Sequence, residues 1–164
     1  MFRKIIAFSL LLVIAASCKK DVAPDFSAAD KKIIEDYLVA NNLTAQSTSS
    51  GLYYIISKPG GAYHANSNST VTAYYKGYLV NGTIFDQTTY SAGKPATFAL
   101  SGVIKGWKEG LQLIGVGGKI KLLIPSALGY GSVAQTATIG GVVQPTIPAN
   151  SVLIFDVELV EIYN

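Results

Sequence analysis

Apolar residues along this chain follow two periodicities, and the change from one to the other divides it. Ile33, Ile34, Tyr37 and Leu38 recur at helical spacing behind Ser27-Ala-Ala-Asp30, which reads as a capping box with Asp in place of Glu. This predicts a helix over about 28–41. A helix of that length is marginal alone in water, so its stripe should dock on the main domain or on a second copy. Residues 42–50, rich in Thr and Ser, read as a linker. From Gly51 onward, short apolar runs and alternations predict strands over 52–56, 71–80, 83–86, 97–100, 119–124 and 151–162. Asn81-Gly82 is a strong signal for a tight hairpin turn, and 59–69 is a polar loop. The helical period returns once, where Val103, Ile104, Trp107 and Leu111 would share one face before Gly117-Gly118 ends the helix. Several antiparallel strands and one short helix make an α+β domain with the helix on one sheet face. Its 114 residues, 51–164, suffice for a single core.

That second helix holds the only tryptophan of 164 residues, with Gly102, Gly106 and Gly110 beside it. Each glycine costs a helix about 1 kcal/mol against alanine. Two readings follow. Trp107 is a core residue and the glycines let it pack, or something outside the chain must come close to the indole.

The N-terminus reads as an export signal. Arg3 and Lys4 precede a largely apolar run from 5 to 16, and small residues at 15–17 stand before Cys18, the only cysteine. The run is too short to span a bilayer, which takes about 20 residues. The arrangement resembles a bacterial lipoprotein signal, 1–17, whose cysteine is lipidated and becomes the first residue. Lys19, where Asp would mark inner-membrane retention, favours by the same resemblance the outer membrane of a Gram-negative cell envelope. The other reading is a secretory signal with an incidental cysteine.

Processing changes the charge. Loss of Arg3 and Lys4 takes the 13 basic residues to 11, against 10 acidic ones, and removes the single arginine. A near-neutral domain of this kind lacks the basic face that nucleic-acid binding needs. His64 is the only histidine, so no Ser/His/Asp triad and no multi-histidine metal site can be assembled, and no metal or cofactor is expected. His64 itself reads as a solvated loop residue. Gly115-Val-Gly-Gly-Lys119 suggests a phosphate loop only superficially, since Ile120 stands where Ser or Thr should bind magnesium. Asp86 and Asp156 lie beside phenylalanines, and nothing in the sequence brings them together.

What remains is an aromatic inventory with two polar points. Tyr75-Lys-Gly-Tyr-Leu, Asn81-Gly-Thr-Ile-Phe-Asp86, Gly102-Val-Ile-Lys-Gly-Trp-Lys-Glu-Gly110, Leu128-Gly-Tyr-Gly131 and Phe155-Asp-Val-Glu-Leu159 resemble, in order, the motifs of the FKBP-type peptidyl-prolyl isomerases. The resemblance covers essentially all of 51–164. It implies a twisted antiparallel sheet wrapped around one short helix, here preceded by an N-terminal helix. It also implies Trp107 as the pocket floor, Tyr75, Phe85 and Phe155 as walls, and Val103 and Ile104 as the rim, with the Ile104 N–H a ligand donor. Tyr130 would offer a hydroxyl to the substrate carbonyl, Asp86 a buried acceptor near Tyr75, and Ile147 a flap contact. Catalytic roles thus fall to Asp86, Tyr130 and Trp107. Two features depart from the family. Ala96 follows Lys94-Pro95 where an aromatic is usual, reducing one wall, and 132–148 is a longer, uncharged segment. Residues 135–144 could form a hairpin around Gly140-Gly141, either a flap over the pocket or a tolerated surface insertion.

The implied activity is rotation about X–Pro amides of unfolded or exported proteins, by desolvation and twisting without covalent chemistry. The rival is a membrane-tethered holdase that binds prolines with little turnover. A homodimer through helix 28–41 is compatible with either. The expected organisation is a signal at 1–17, tether, helix and linker at 18–50, and an isomerase domain at 51–164.

Overall fold

The computed structural model describes residues 27–88, 93–139 and 142–163. The signal, Cys18, the tether and Gly140-Gly141 lie outside them.

Helix α1 (Ser27–Ala40) buries Asp30, Ile34 and Leu38, one face at i, i+4, i+8. Its end is set by Asn42 at φ 52°. The Leu43 N–H donates to Leu38 O at 2.9 Å and the Asn42 N–H to Val39 O at 3.1 Å, a Schellman stop. Leu43 packs into the same cluster as Ile34, Leu38, Leu123 and Val152. The stripe therefore docks on the chain's own sheet. Fully burying a side chain such as Ile34 stabilises by about 1.5–3 kcal/mol.

The next residues form a short strand, β1 (Gln46–Ser47), inside the expected linker. Then come β2 (Tyr53–Lys58), β3 (Thr70–Leu79), β4 (Ile84–Gln87) and β5 (Ala96–Ala99), followed by helix α2 (Lys105–Gly110). After it lie β6 (Lys119–Ile124), β7 (Gln135–Ile139), β8 (Val142–Ile147) and β9 (Leu153–Tyr163). The main sheet is antiparallel throughout, in the order β1-β2-β6-β9-β3-β4, with β5 also on β3. Ten-residue β3 gives one edge to β9, and shares the other between β5 at its start and β4 at its end.

Alternation divides the side chains of β6 between two cores. Ile120, Leu122 and Ile124 face α2, while Leu123 faces α1. Helix α2 lies close on the inner face. A Cβ on Gly106 would stand 2.6 Å from Ile124 Cγ2, and one on Gly110 2.5 Å from Leu122 Cδ2. Two of the three glycines beside Trp107 thus serve helix-on-sheet packing; a Cβ on Gly102 would meet nothing within 4 Å.

Two expectations change and one is refined. Asn81-Gly82 makes the tight hairpin turn between β3 and β4, though not as a two-residue type I′ turn, which needs positive φ at both positions. Gly82 alone is left-handed, at φ 86°, and its N–H donates to Leu79 O at 2.8 Å. Helix α2 ends at Gly110, passing into a 3-10 turn at Leu111–Leu113, well before Gly117. His64 is exposed yet engaged, with Nδ1 3.0 Å from Gln112 O. The 115–118 turn cannot cradle a phosphate, because three of its four amides are taken. Gly115 donates to Pro59 O, Gly117 to Leu159 O and Gly118 to Gly115 O.

Candidate active site

A cleft of 380 Å³ opens between α2 and the inner sheet face. Its floor is Trp107, 4% exposed. Three rings meet the indole edge-on: Tyr75 at 5.2 Å between centroids, Phe98 at 5.2 Å and Phe155 at 5.3 Å. Phe85 joins through Phe155 at 5.5 Å. Edge-to-face pairs contribute about 0.5–1.5 kcal/mol each beyond area burial, so the cluster holds its own shape. The indole Nε1 is buried without a hydrogen-bond partner among the described residues, a polar cost of making the floor from tryptophan.

Strand irregularity aims the polar point. Gly77 pairs with Asp86 and Tyr78 with Ile84, so Phe85 is an extra residue, a bulge. A bulge re-aims side chains, and both Phe85 and Asp86 reach the cleft. Asp86 is exposed, where a buried acceptor was expected, yet its Oδ2 does accept the Tyr75 hydroxyl at 2.6 Å. Burial, and then the bond to Asp86, push the Tyr75 hydroxyl well above the ordinary tyrosine range. Asp156, in contrast, faces the other side of the sheet and pairs with Lys121 at 2.5 Å. The two carboxylates are not a pair.

Gly77 is the reason both walls fit. A Cβ there would lie 2.6 Å from the Phe85 ring and 2.7 Å from the Phe155 ring. A glycine inside a strand commonly marks such a close approach.

The rim comes from three other segments. Val103 and Ile104 precede the helix rather than share its face: Ile104 is the N-cap, with ψ 151°, and its carbonyl accepts the N–H groups of Trp107 and Lys108. The N–H of an N-cap lies outside the helical ladder, which frees Ile104 as a donor at the rim. Tyr130 stands on the turn after a 3-10 segment, Ser126–Leu128, at 38% exposure. Burial first, and the nearby Asp86 second, raise its hydroxyl above the usual range. Ile147 closes the third side from the end of β8.

All nine cleft residues expected from the sequence converge here. Four others were not foreseen: Phe98, Gly102, Gln135 and Thr146. Phe98 also corrects the reduced wall. Ala96 does not line the cleft, and Phe98, two residues on and therefore on the same strand face, stands against Trp107. The 135–144 hairpin is present as β7 paired with β8, Ile139 opposite Val142, and Gln135, Thr146 and Ile147 at its base line the cleft.

The sequence pattern of the FKBP-type peptidyl-prolyl cis-trans isomerases matches residues 61–160, more than half of the chain. The chain belongs to this family. Among FKBP-type relatives, FkpA of Buchnera aphidicola subsp. Schizaphis graminum is 52% identical over 118 residues, 71% of this chain and 43% of that protein. FkpA of Escherichia coli strain K12 is 42% identical over 147 residues, 90% of this chain and 50% of that one. The crystal structure of Escherichia coli FkpA superposes with a TM-score of 0.67 at 40% identity, covering 84% of this chain and 61% of that chain. A peptidyl-prolyl cis-trans isomerase from Pseudomonas syringae pv. tomato gives 0.66 at 27% identity, covering 87% of this chain and all of the other. The FKBP-type chain spans about half the length of the curated relatives it matches.

Proposed function

We propose that this chain is a peptidyl-prolyl cis-trans isomerase acting on unfolded, exported proteins. The observation that carries this is the Trp107 floor ringed by Tyr75, Phe98 and Phe155, with Tyr130, Gln135, Thr146 and the Tyr75–Asp86 pair as the polar side chains of the lining. Amide resonance opposes rotation by about 18–20 kcal/mol, and uncatalysed X–Pro exchange takes roughly 10–100 s. In the twisted transition state that resonance is lost, and the carbonyl is less polar than in the planar amide. An aromatic cleft filled by its substrate disfavours the planar ground state more than the twisted one, which is differential binding. Tyr130, kept protonated, can hold a substrate carbonyl while proline sits on the indole. The test is isomerisation of X–Pro tetrapeptides by residues 19–164. Apolar residues before proline should be preferred, because Val103, Ile104 and Phe85 line that side; a preference for Glu there would contradict the reading.

The paired strands β7 and β8 act as a flap for extended clients, supported by Gln135, Thr146 and Ile147 on the cleft side. Replacing 135–144 with a short Gly-Ser link should lower activity on a refolding protein and spare the tetrapeptide. Equal activity on both would make the hairpin a surface ornament. A lipid on Cys18 holds the protein at the outer membrane, a reading that rests on the signal sequence alone. Cys18→Ser should leave a soluble or uncleaved form, and wild-type protein found wholly in the soluble periplasm would contradict it. A homodimer through α1 has little apolar helix surface to use. Ile34 and Leu38 are buried on the chain's own sheet, leaving Ile33 and Val39 outward.

A further inference from the structure

The first turn of α1 carries a buried acid that the cleft chemistry does not use. Asp30 is 2% exposed. Its Oδ2 accepts two hydrogen bonds from a residue 96 positions along the chain, the Ser126 N–H at 2.8 Å and the Ser126 hydroxyl at 2.7 Å. Burying a carboxyl group is costly unless hydrogen bonds compensate, and the apolar contacts of Ile34 and Leu38 already dock the helix. An aliphatic residue would serve that docking at lower cost. The acid is explained by what it holds.

Ser126 opens the turn that carries Tyr130. Its carbonyl accepts the N–H groups of Gly129 and Gly131, both at 2.9 Å, the two residues that flank Tyr130. Gly131 is left-handed at φ 58°, and its carbonyl accepts the Asn150 N–H at 2.7 Å. Among the described residues no hydrogen bond fixes the Tyr130 hydroxyl, so its position follows from this backbone. One residue, Ser126, therefore ties both shoulders of the tyrosine, and Asp30 grips that residue by its amide and its hydroxyl.

We propose that Asp30 is a positioning residue for the isomerase reaction. By clamping Ser126 it fixes the turn that presents the Tyr130 hydroxyl to the substrate, which makes α1 part of the catalytic unit. The turnover arm of the test rests on the isomerase reading above; the exchange arm does not.

The experiment is a double-mutant cycle in residues 19–164 between Asp30→Ala and Tyr130→Phe, read on an X–Pro tetrapeptide. Each single variant should lower kcat/KM about fivefold, the size of one neutral hydrogen bond, with the loss in kcat. The double variant should be no worse than either. Asp30→Asn, whose side-chain oxygen can still accept both donors, should recover most of the activity. Additive losses, or an unchanged kcat in a folded Asp30→Ala protein, would overturn the proposal. If Asp30→Ala does not melt cooperatively, Ser126→Ala removes one donor and runs the same cycle: non-additive losses support the clamp and additive ones overturn it. Amide exchange supplies the independent arm: the Gly129 and Gly131 N–H groups should exchange faster in Asp30→Ala while those of β6 do not. Unchanged exchange overturns the clamp whatever the turnover shows, and an inactive wild type with faster exchange overturns only the isomerase reading.

Discussion

On the inner face of β3 and β9, Tyr75 and Phe155 stand around the Trp107 indole; on the outer face of the same strands lie Lys76, Asp156 and Glu158. The outer side also has a hollow, and at 600 Å³ it is larger than the 380 Å³ cleft. Four of its five charged residues are already paired, and Lys76 lies over the Tyr78 ring. Lys121 Nζ sits 2.5 Å from Asp156 Oδ1 and 2.6 Å from the Tyr78 hydroxyl, and Lys119 Nζ 3.1 Å from Glu158. A ligand there would have to displace these pairs, and partly exposed pairs are worth only about 0–1 kcal/mol each. The inner cleft instead gathers the rings of Tyr75, Phe85, Phe98, Trp107 and Phe155, with Asp86 and Tyr130 exposed at its edge. Volume therefore does not choose the site. The aromatic lining does.

Substitutions on the two faces should separate accordingly. Phe155→Ala should have the largest effect, costing about 3–5 kcal/mol of stability and most of the activity, as read by denaturant melts and tetrapeptide turnover. Gly77→Ala adds a single methyl between Phe85 and Phe155 and should cost about 1–3 kcal/mol, with kcat falling as the walls shift. Tyr130→Phe should leave the melt unchanged and lower kcat/KM by the equivalent of about 0.5–1.5 kcal/mol. Lys121→Ala, on the outer face, should cost about 0–1 kcal/mol and leave turnover as it was. A large loss of activity from Lys121→Ala would break the contrast.

Raised hydroxyls occur on both faces, in Tyr75 and Tyr130 inside and Tyr78 outside, and burial is the first cause in each. A pKa raised on folding gives stability that is complete below the unfolded value of about 10 and is lost as pH climbs through the folded value. Turnover should thus be flat from about pH 7 to 9 as far as these tyrosines are concerned, while melts should fall above about pH 10. Melts that rise over that alkaline range would contradict the assignment.

Strand positions and aromatic walls were legible because period two and the five motifs both report on the inner face. Phe98 was legible too, had the alternation from Ala96 been followed one step further. The limits of α2 were not. Helical spacing put Val103 and Ile104 on its face, yet the extended ψ of Ile104 starts the helix only at Lys105. The glycines could not say what approaches them, since strand β6 is distant in sequence. The Asp30–Ser126 contact was hidden for the same reason: a capping box explains Asp30 locally, and its partner lies 96 residues away.

The central claim is turnover by the aromatic cleft, and the slow, proline-limited refolding of a model protein measures it directly. Residues 19–164 at far below stoichiometric amounts should accelerate the slow phase, and Trp107→Leu, if folded, should remove most of that gain. A slow phase unchanged at catalytic amounts, or merely retarded at stoichiometric ones, would contradict the account and mark the chain as a holdase.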